Sequence, residues 1–252
     1  NKHNASYRQL GLPYLYLPFQ TATFTPFFEN VVNSRQLPVP ISGLTVVAPY
    51  KELGLAASQN QLRHKGKRAK HCNGILRNED RWDGFSTDAI GAIEALNLIG
   101  GNWYQKKIVI IGCGGAGFGI ASGLKDLNLN PTLVNRTKDK GLKVAKSLNL
   151  SFVPLSEFSA EKYDIIIHCT PVGKKNKETP FDVNSIRTDS VVIDHVYALG
   201  ADTALINHCH LMNIKAFDGK EIARLQICHQ FKFLTGIEMP MTKTIEEKLK
   251  TF

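Results

Sequence analysis

Residues 107–137, KIVIIGCGGAGFGIASGLKDLNLNPTLVNRT, constrain the fold of this chain more than any other segment. Four apolar residues, 108–111, read as a buried strand. Gly112, Gly114 and Gly117 then give the spacing G-x-G-x-x-G, with Gly115 and Ala116 inside it, just before a helical pattern over 118–127. In the order strand, glycines, helix, the backbone can turn tightly and aim N–H groups and the positive helix end at a pyrophosphate. Taken alone the spacing also describes an ordinary glycine-rich turn. The far end of the segment favours the nucleotide reading. After the second strand, 132–134, a fold built for NAD places an acid against the ribose 2′-hydroxyl. Here Asn135, Arg136 and Thr137 follow, with Lys138 and Lys140 behind them. Cations and neutral donors suit a 2′-phosphate that an acid would repel, so the expected cofactor is NADP. The other reading of Arg136 and Lys140 is a solvated helix start.

Apolar runs at 108–111, 132–134, 152–153, 164–169, 191–194 and 214–216 alternate with helical stretches, the pattern of parallel βαβ units. Ahead of them, 14–19 and 44–47 read as strands around a helix at 27–35. A helix over 88–98 joins the halves, and helices over 220–234 and 243–249 return to the first. The expected class is α/β, with two α/β domains and a cleft between them, the second a Rossmann-type doubly wound parallel sheet. A substrate-binding catalytic domain is expected over 1–88, completed by 220–252, and a cofactor domain over 89–219.

Composition narrows the function classes. The chain has 252 residues, 43% of them hydrophobic, but no apolar run long enough to span a membrane. Five cysteines, with no C-x-x-C pair, suggest reduced thiols in a cytoplasmic protein and neither a disulfide frame nor a zinc site. His208-x-His210 reads as surface and no metal is expected. The net charge of +9 admits nucleic acid, but the cations are dispersed apart from 64–71 (HKGKRAKH), which lacks interleaved aromatics; steering of small anions is the better reading. A first residue that is not methionine reads as a cut or processed piece.

Further motifs carry a resemblance. GLTVVAPYKE at 43–52, Asn73, GFSTDA at 84–89, GCGGA, NRT, CTPVG, DHVY and DGKEIARLQ are similar, in order and over nearly the whole length, to the signatures of shikimate dehydrogenases. The resemblance implies reduction of 3-dehydroshikimate to shikimate with NADPH. It assigns Lys51 as catalytic lysine and Asp88 as its partner, an acid–base pair where a hydride arriving at carbon must be matched by a proton at oxygen. By spacing alone Lys51 is only a lysine opening a helix. It further implies substrate contacts from Asn73, Ser86, Tyr197 and Gln226, and cofactor contacts from Thr170, Pro171, Val172 and Gly219 beside the glycine turn. Tyr197 also reads as a half-buried core tyrosine, Thr170-Pro171 as a turn, and Asp218-Gly219 as a helix start.

Departures from the family pattern are specific. Val47 stands where a substrate-binding threonine is usual, Ser86 where an asparagine is, and Gly74 where a threonine follows Asn73. Lys70 and His71 replace small residues and place positive charge toward the substrate's carboxylate. The motif whose serines hold that carboxylate is present only as Asn1-Lys2-His3-Asn4, so either its serines lie upstream, for instance in a longer chain fused to a dehydroquinase, or this copy has lost that element. Two other functions fit these departures: a quinate or other polyol-acid dehydrogenase of the same family, and a catalytically silent NADP-binding regulator.

Overall fold

The computed structural model describes residues 2–34, 37–47, 49–58, 72–175, 177–198 and 200–240, and the basic segment 64–71 and the helix expected over 243–249 lie outside them. Two compact units divide the chain, one made of residues 1–87 and 227–252, the other of 88–226. The second seam falls within a helix, seven residues beyond the boundary expected at 219/220.

The first unit begins with helix α1 (Lys2–Gln9). The expected strand at 14–19 does not form: the segment is irregular, and Tyr14, Leu15, Leu17 and Phe19 are all exposed. Pro13 precedes it and Pro18 lies within it, each lacking the N–H a ladder needs. What holds this stretch is a side chain. Asn4 donates from Nδ2 to the Tyr16 carbonyl at 3.0 Å and accepts from the Tyr16 N–H at 2.7 Å. The helix expected over 27–35 starts earlier, as α2 (Phe24–Phe27), and continues as a π-turn over Phe28–Val32. Strands β1 (Gly43–Thr45), β2 (Gly74–Asn78) and β3 (Arg81–Phe85) make an antiparallel sheet in that order, with α3 (Lys51–Ala57) between β1 and β2. Phe24, Phe28, Val32, Val46, Leu55, Ile75 and Trp82 form its core, each fully buried side chain contributing roughly 1.5–3 kcal/mol.

The second unit holds the α/β repeat. Its elements are α4 (Asp88–Ile99), β4 (Ile108–Ile111), α5 (Gly115–Asp126), β5 (Thr132–Asn135), α6 (Lys138–Leu148), β6 (Phe152–Pro154), β7 (Ile165–His168), β8 (Val191–Asp194), α7 (Ala204–Leu211) and β9 (Lys215–Phe217). Helix α8 (Gly219–Thr235) begins in this unit and ends in the other. The six strands pair in parallel in the order β6-β5-β4-β7-β8-β9, so counted within the sheet the order is 3-2-1-4-5-6, with its reversal between β4 and β7. Both faces are covered. Ile108 and Ile110 point into a core with α4 and α5, whereas Val109 and Ile111 point into one with Leu205 and Cys209 of α7. Burial on both faces makes these strands uniformly apolar in sequence. Gly123 brings α4 and α5 together, since a Cβ there would lie 2.3 Å from that of Ala89.

Candidate active site

The glycine turn at the carboxyl end of β4 has three different requirements. Gly112 adopts φ +108° with its Cα side against Thr170 and the Cys169 backbone. At Gly117 a Cβ would stand 1.8 Å from the Gly112 carbonyl oxygen, so only glycine lets α5 pack against the turn. Gly114 and Gly115 differ: a Cβ on either meets nothing within 4 Å. Neither the fold's packing nor a positive φ demands glycine there. The space they leave stands over the first turn of α5, beside Ala116, where free N–H groups favour an anion. A pyrophosphate fits this donor set and this room.

Asn135 closes the turn from below. It accepts from the Cys113 N–H at 3.1 Å and donates to the Thr137 carbonyl at 2.8 Å, so its carboxamide ties the glycine turn to the end of β5. Arg136, Thr137 and Lys140 are exposed around it, and Arg136 has no hydrogen-bond or ion-pair partner among the described residues. Lys140 lies near enough to Cys113 to oppose the burial that pushes that thiol up to about 11.

On the other side of β4, the strand β7 ends in a polar array that the sequence reading missed. His168 is fully buried. Its Nδ1 lies 2.9 Å from Asp194 Oδ1 and its Nε2 2.5 Å from Thr170 Oγ1. Asp194 Oδ1 also accepts from the Val196 N–H at 3.0 Å, and Oδ2 accepts from the Thr203 hydroxyl at 2.6 Å. Thr170 Oγ1 accepts from the Val172 N–H at 3.3 Å, while Pro171 is exposed between them. A polar residue ending an apolar run, with its partner 26 positions away, leaves no periodic signal.

The same sheet end gathers other candidates. Asp88, at the start of α4, is buried, and its charge together with that of Asp194 adds to the burial that holds the Cys169 thiol well above its usual range. Gly219 lies where a Cβ would sit 2.2 Å from the Val196 carbonyl oxygen, so its closest demand is backbone packing. The helix-start reading of Asp218 also holds: Asp218 Oδ1 accepts from Glu221 N–H and Glu221 Oε2 from Asp218 N–H, a capping box. Tyr197 is 51% exposed, which removes the core-tyrosine reading. The Gln226 stem packs on Gly91, where a Cβ would come within 2.7 Å of its Cγ.

In the first unit, backbone bonds assemble Lys51, Asn73 and Ser86. Cys72 N–H donates to the Lys51 carbonyl, Val46 N–H to the Asn73 carbonyl, and Asn73 N–H to Phe85, the residue before Ser86. The Asn73 carboxamide accepts from the Thr87 N–H and donates to the Thr87 hydroxyl, both at 2.9 Å, which fixes its orientation. Ser86 Oγ is buried with no hydrogen-bond partner among the described residues. Val47 is 64% exposed and can make no such bond. Lys70 and His71 lie outside the described residues. Among those residues, no group of acids, histidines and cysteines could hold a metal ion, and no helix is long and apolar enough to cross a membrane.

A doubly wound sheet of this strand order, with a glycine turn at its reversal and a cation past its second strand, defines a dinucleotide-dependent α/β protein. Residues 94–178 match the family model described as Shikimate / quinate 5-dehydrogenase. The NADP(+) shikimate dehydrogenase of Thermococcus kodakarensis is 30% identical over 243 residues, covering 94% of this chain and 85% of that protein. That of Aquifex aeolicus is 28% identical over 240 residues, 94% and 86%. The crystal structure of shikimate 5-dehydrogenase from Thermus thermophilus in complex with NADP(H) and shikimate superposes with a TM-score of 0.82 at 25% identity, over 99% of this chain and 92% of that one. The chain belongs to the shikimate dehydrogenase family.

Proposed function

We propose that this protein is an NADP-dependent shikimate dehydrogenase, reversibly reducing the ketone of 3-dehydroshikimate to the alcohol of shikimate. The observation that carries the cofactor half is the open space at Gly114 and Gly115 over the α5 N-terminus, with Arg136 exposed past β5. The fit is one of donors to phosphate: backbone N–H groups for the pyrophosphate, and a guanidinium for the 2′-phosphate. Thr170, Pro171, Val172 and Gly219 are assigned to the nicotinamide half. When bound, NADPH supplies the hydride that becomes the new C–H bond. Lys51 is assigned the proton that the ketone oxygen takes up as that bond forms, and Asp88 the role of its partner carboxylate in the proton step. Asn73, Ser86, Tyr197 and Gln226 are assigned to the ring hydroxyls, whose mixed donor and acceptor character their amide and hydroxyl groups match. In this reading the first unit is the substrate unit and the second the cofactor unit. A cytoplasmic setting belongs to the same reading, supported by five free cysteines.

The test is turnover of shikimate and of quinate, each with NADP and with NAD, alongside NADPH and NADH affinities of the wild type and Arg136→Ala. Shikimate with NADP should be the fastest pair. Loss of one charge-assisted contact should weaken NADPH by roughly 10- to 100-fold while leaving NADH nearly unchanged. Equal losses for both cofactors would overturn the assignment of Arg136. Preferred oxidation of quinate, or NADPH binding without turnover of either acid, would replace the substrate reading.

A further inference from the structure

We infer that His168 is a positioning residue that makes the Thr170 hydroxyl an obligate hydrogen-bond acceptor toward the nicotinamide half of the cofactor, with Asp194 setting the polarity of the ring; the inference rests on the cofactor reading above. Asp194 offers only acceptors, and each oxygen already faces a donor: the Val196 N–H on Oδ1 and the Thr203 hydroxyl on Oδ2. The His168 nitrogen 2.9 Å from Oδ1 therefore carries the hydrogen, and in the neutral ring that leaves Nε2 as a lone pair. At 2.5 Å from that lone pair, Thr170 must direct its O–H inward. One of its own lone pairs takes the Val172 N–H at 3.3 Å. What remains for a ligand is a single lone pair on a half-buried oxygen. Hydroxyls ordinarily rotate to donate or accept as the ligand requires, but this one has its proton committed to a ring that is itself 0% exposed. The site accordingly selects a ligand group with an N–H or O–H to give. On the nicotinamide half, a ribose hydroxyl and the carboxamide NH2 both qualify, and a carbonyl oxygen does not. The same four side chains tie the turn after β7 to the segment after β8 and the start of α7, through Thr203 Oγ1, which also accepts from the Ile206 N–H.

The spectroscopic test uses the whole chain with imidazole-15N histidine, His168 being assigned as the ring whose Nε2 signal moves in Thr170→Val. A protonated Nδ1 and an unprotonated Nε2 are expected. The opposite tautomer would overturn the inference whatever the kinetics show. The binding test compares NADPH affinities. Thr170→Val, which keeps the side chain's shape, should weaken NADPH by about 3- to 10-fold, the effect of one neutral hydrogen bond, and Thr170→Ser should restore it. His168→Phe, which keeps a ring in the space and frees the hydroxyl to rotate, should cause a loss no larger than that of Thr170→Val, and the double variant should lose no more than Thr170→Val alone. Losses that multiply would mean the two act separately. With the 3-acetylpyridine analogue of NADP, a Thr170→Val loss that disappears assigns the carboxamide as donor, and one that persists assigns the ribose. Should His168→Phe not fold, the tautomer and the Thr170 variants still decide. A wild type that does not bind NADPH at all overturns the cofactor reading itself, whereas a wild type that binds it and a Thr170→Val that binds it equally overturn this inference alone.

Discussion

Ser86 and Lys51 carry the two ends of the substrate reading and make opposite predictions for stability. The Ser86 hydroxyl is buried with no hydrogen-bond partner among the described residues, and a buried polar group left unsatisfied costs about 1–3 kcal/mol. Ser86→Ala should therefore leave the melting temperature of the ligand-free protein unchanged or raise it, while weakening shikimate binding. Calorimetric scans beside a shikimate titration check both; a destabilised variant with normal affinity would show the hydroxyl to be structural. Lys51→Ala should lower kcat by roughly 10²–10⁴ with NADPH affinity little altered, because its assigned task is proton transfer. Asp88→Asn should behave alike, and the double variant should lose little beyond either single one. Losses that multiply in the double variant would separate the two residues. At this scale the sequence was legible as placement, as in the exposed cation Arg136 following a strand. It was illegible at His168, whose meaning depends on Asp194 from the neighbouring strand and on Thr170 two residues on.

Elements show why four glycines of one turn are not equivalent. Gly117→Ala would put a methyl group 1.8 Å from the Gly112 carbonyl oxygen, so the turn and α5 must separate. This variant should be destabilised by several kcal/mol, as for overpacking against backbone that cannot yield. Gly115→Ala meets no atom within 4 Å and gains a better helix former. It should fold at least as stably as the wild type and yet bind NADPH much more weakly, because the methyl occupies the room assigned to phosphate. Denaturant melts and cofactor titrations on the pair separate the effects; unchanged NADPH affinity in Gly115→Ala would move the pyrophosphate elsewhere. The strands of the parallel sheet were legible to within a residue or two because burial on both faces writes them as apolar runs. Residues 14–19 have a similar composition and no sheet around them, and Pro13 before the segment and Pro18 within it were the signal against a strand.

For the molecule as a whole, one contribution to acid stability comes from His3. It is buried, stacks on Tyr16 at 4.4 Å, and lies near Tyr7 and Phe231. Burial lowers its pKa from 6.5 to about 4. The folded chain thus keeps this ring neutral where the unfolded chain would protonate it. Its contribution is complete above pH 6.5 and is lost progressively between about pH 6.5 and 4, a change on the order of 3 kcal/mol. His3→Phe should flatten that part of the stability curve, measured by denaturant unfolding at a series of pH values; an unchanged acid limb would assign the loss to carboxylates instead. Nothing in the sequence pattern marked His3 as core, since a short polar helix, KHNASYRQ, gives no apolar stripe.

The first unit is discontinuous, and that orders events during synthesis. Residues 88–226 form a continuous stretch that can close around its own sheet as soon as β9 and the first turns of α8 have left the ribosome. The cluster around Tyr7 needs Phe231 and Met239, made more than two hundred residues later. Until then the aromatic face of α1 is covered only from its own neighbourhood, by Tyr14 and Tyr16. Residues around Tyr7, though made before 88–226, are thus among the last of those described to complete their native packing.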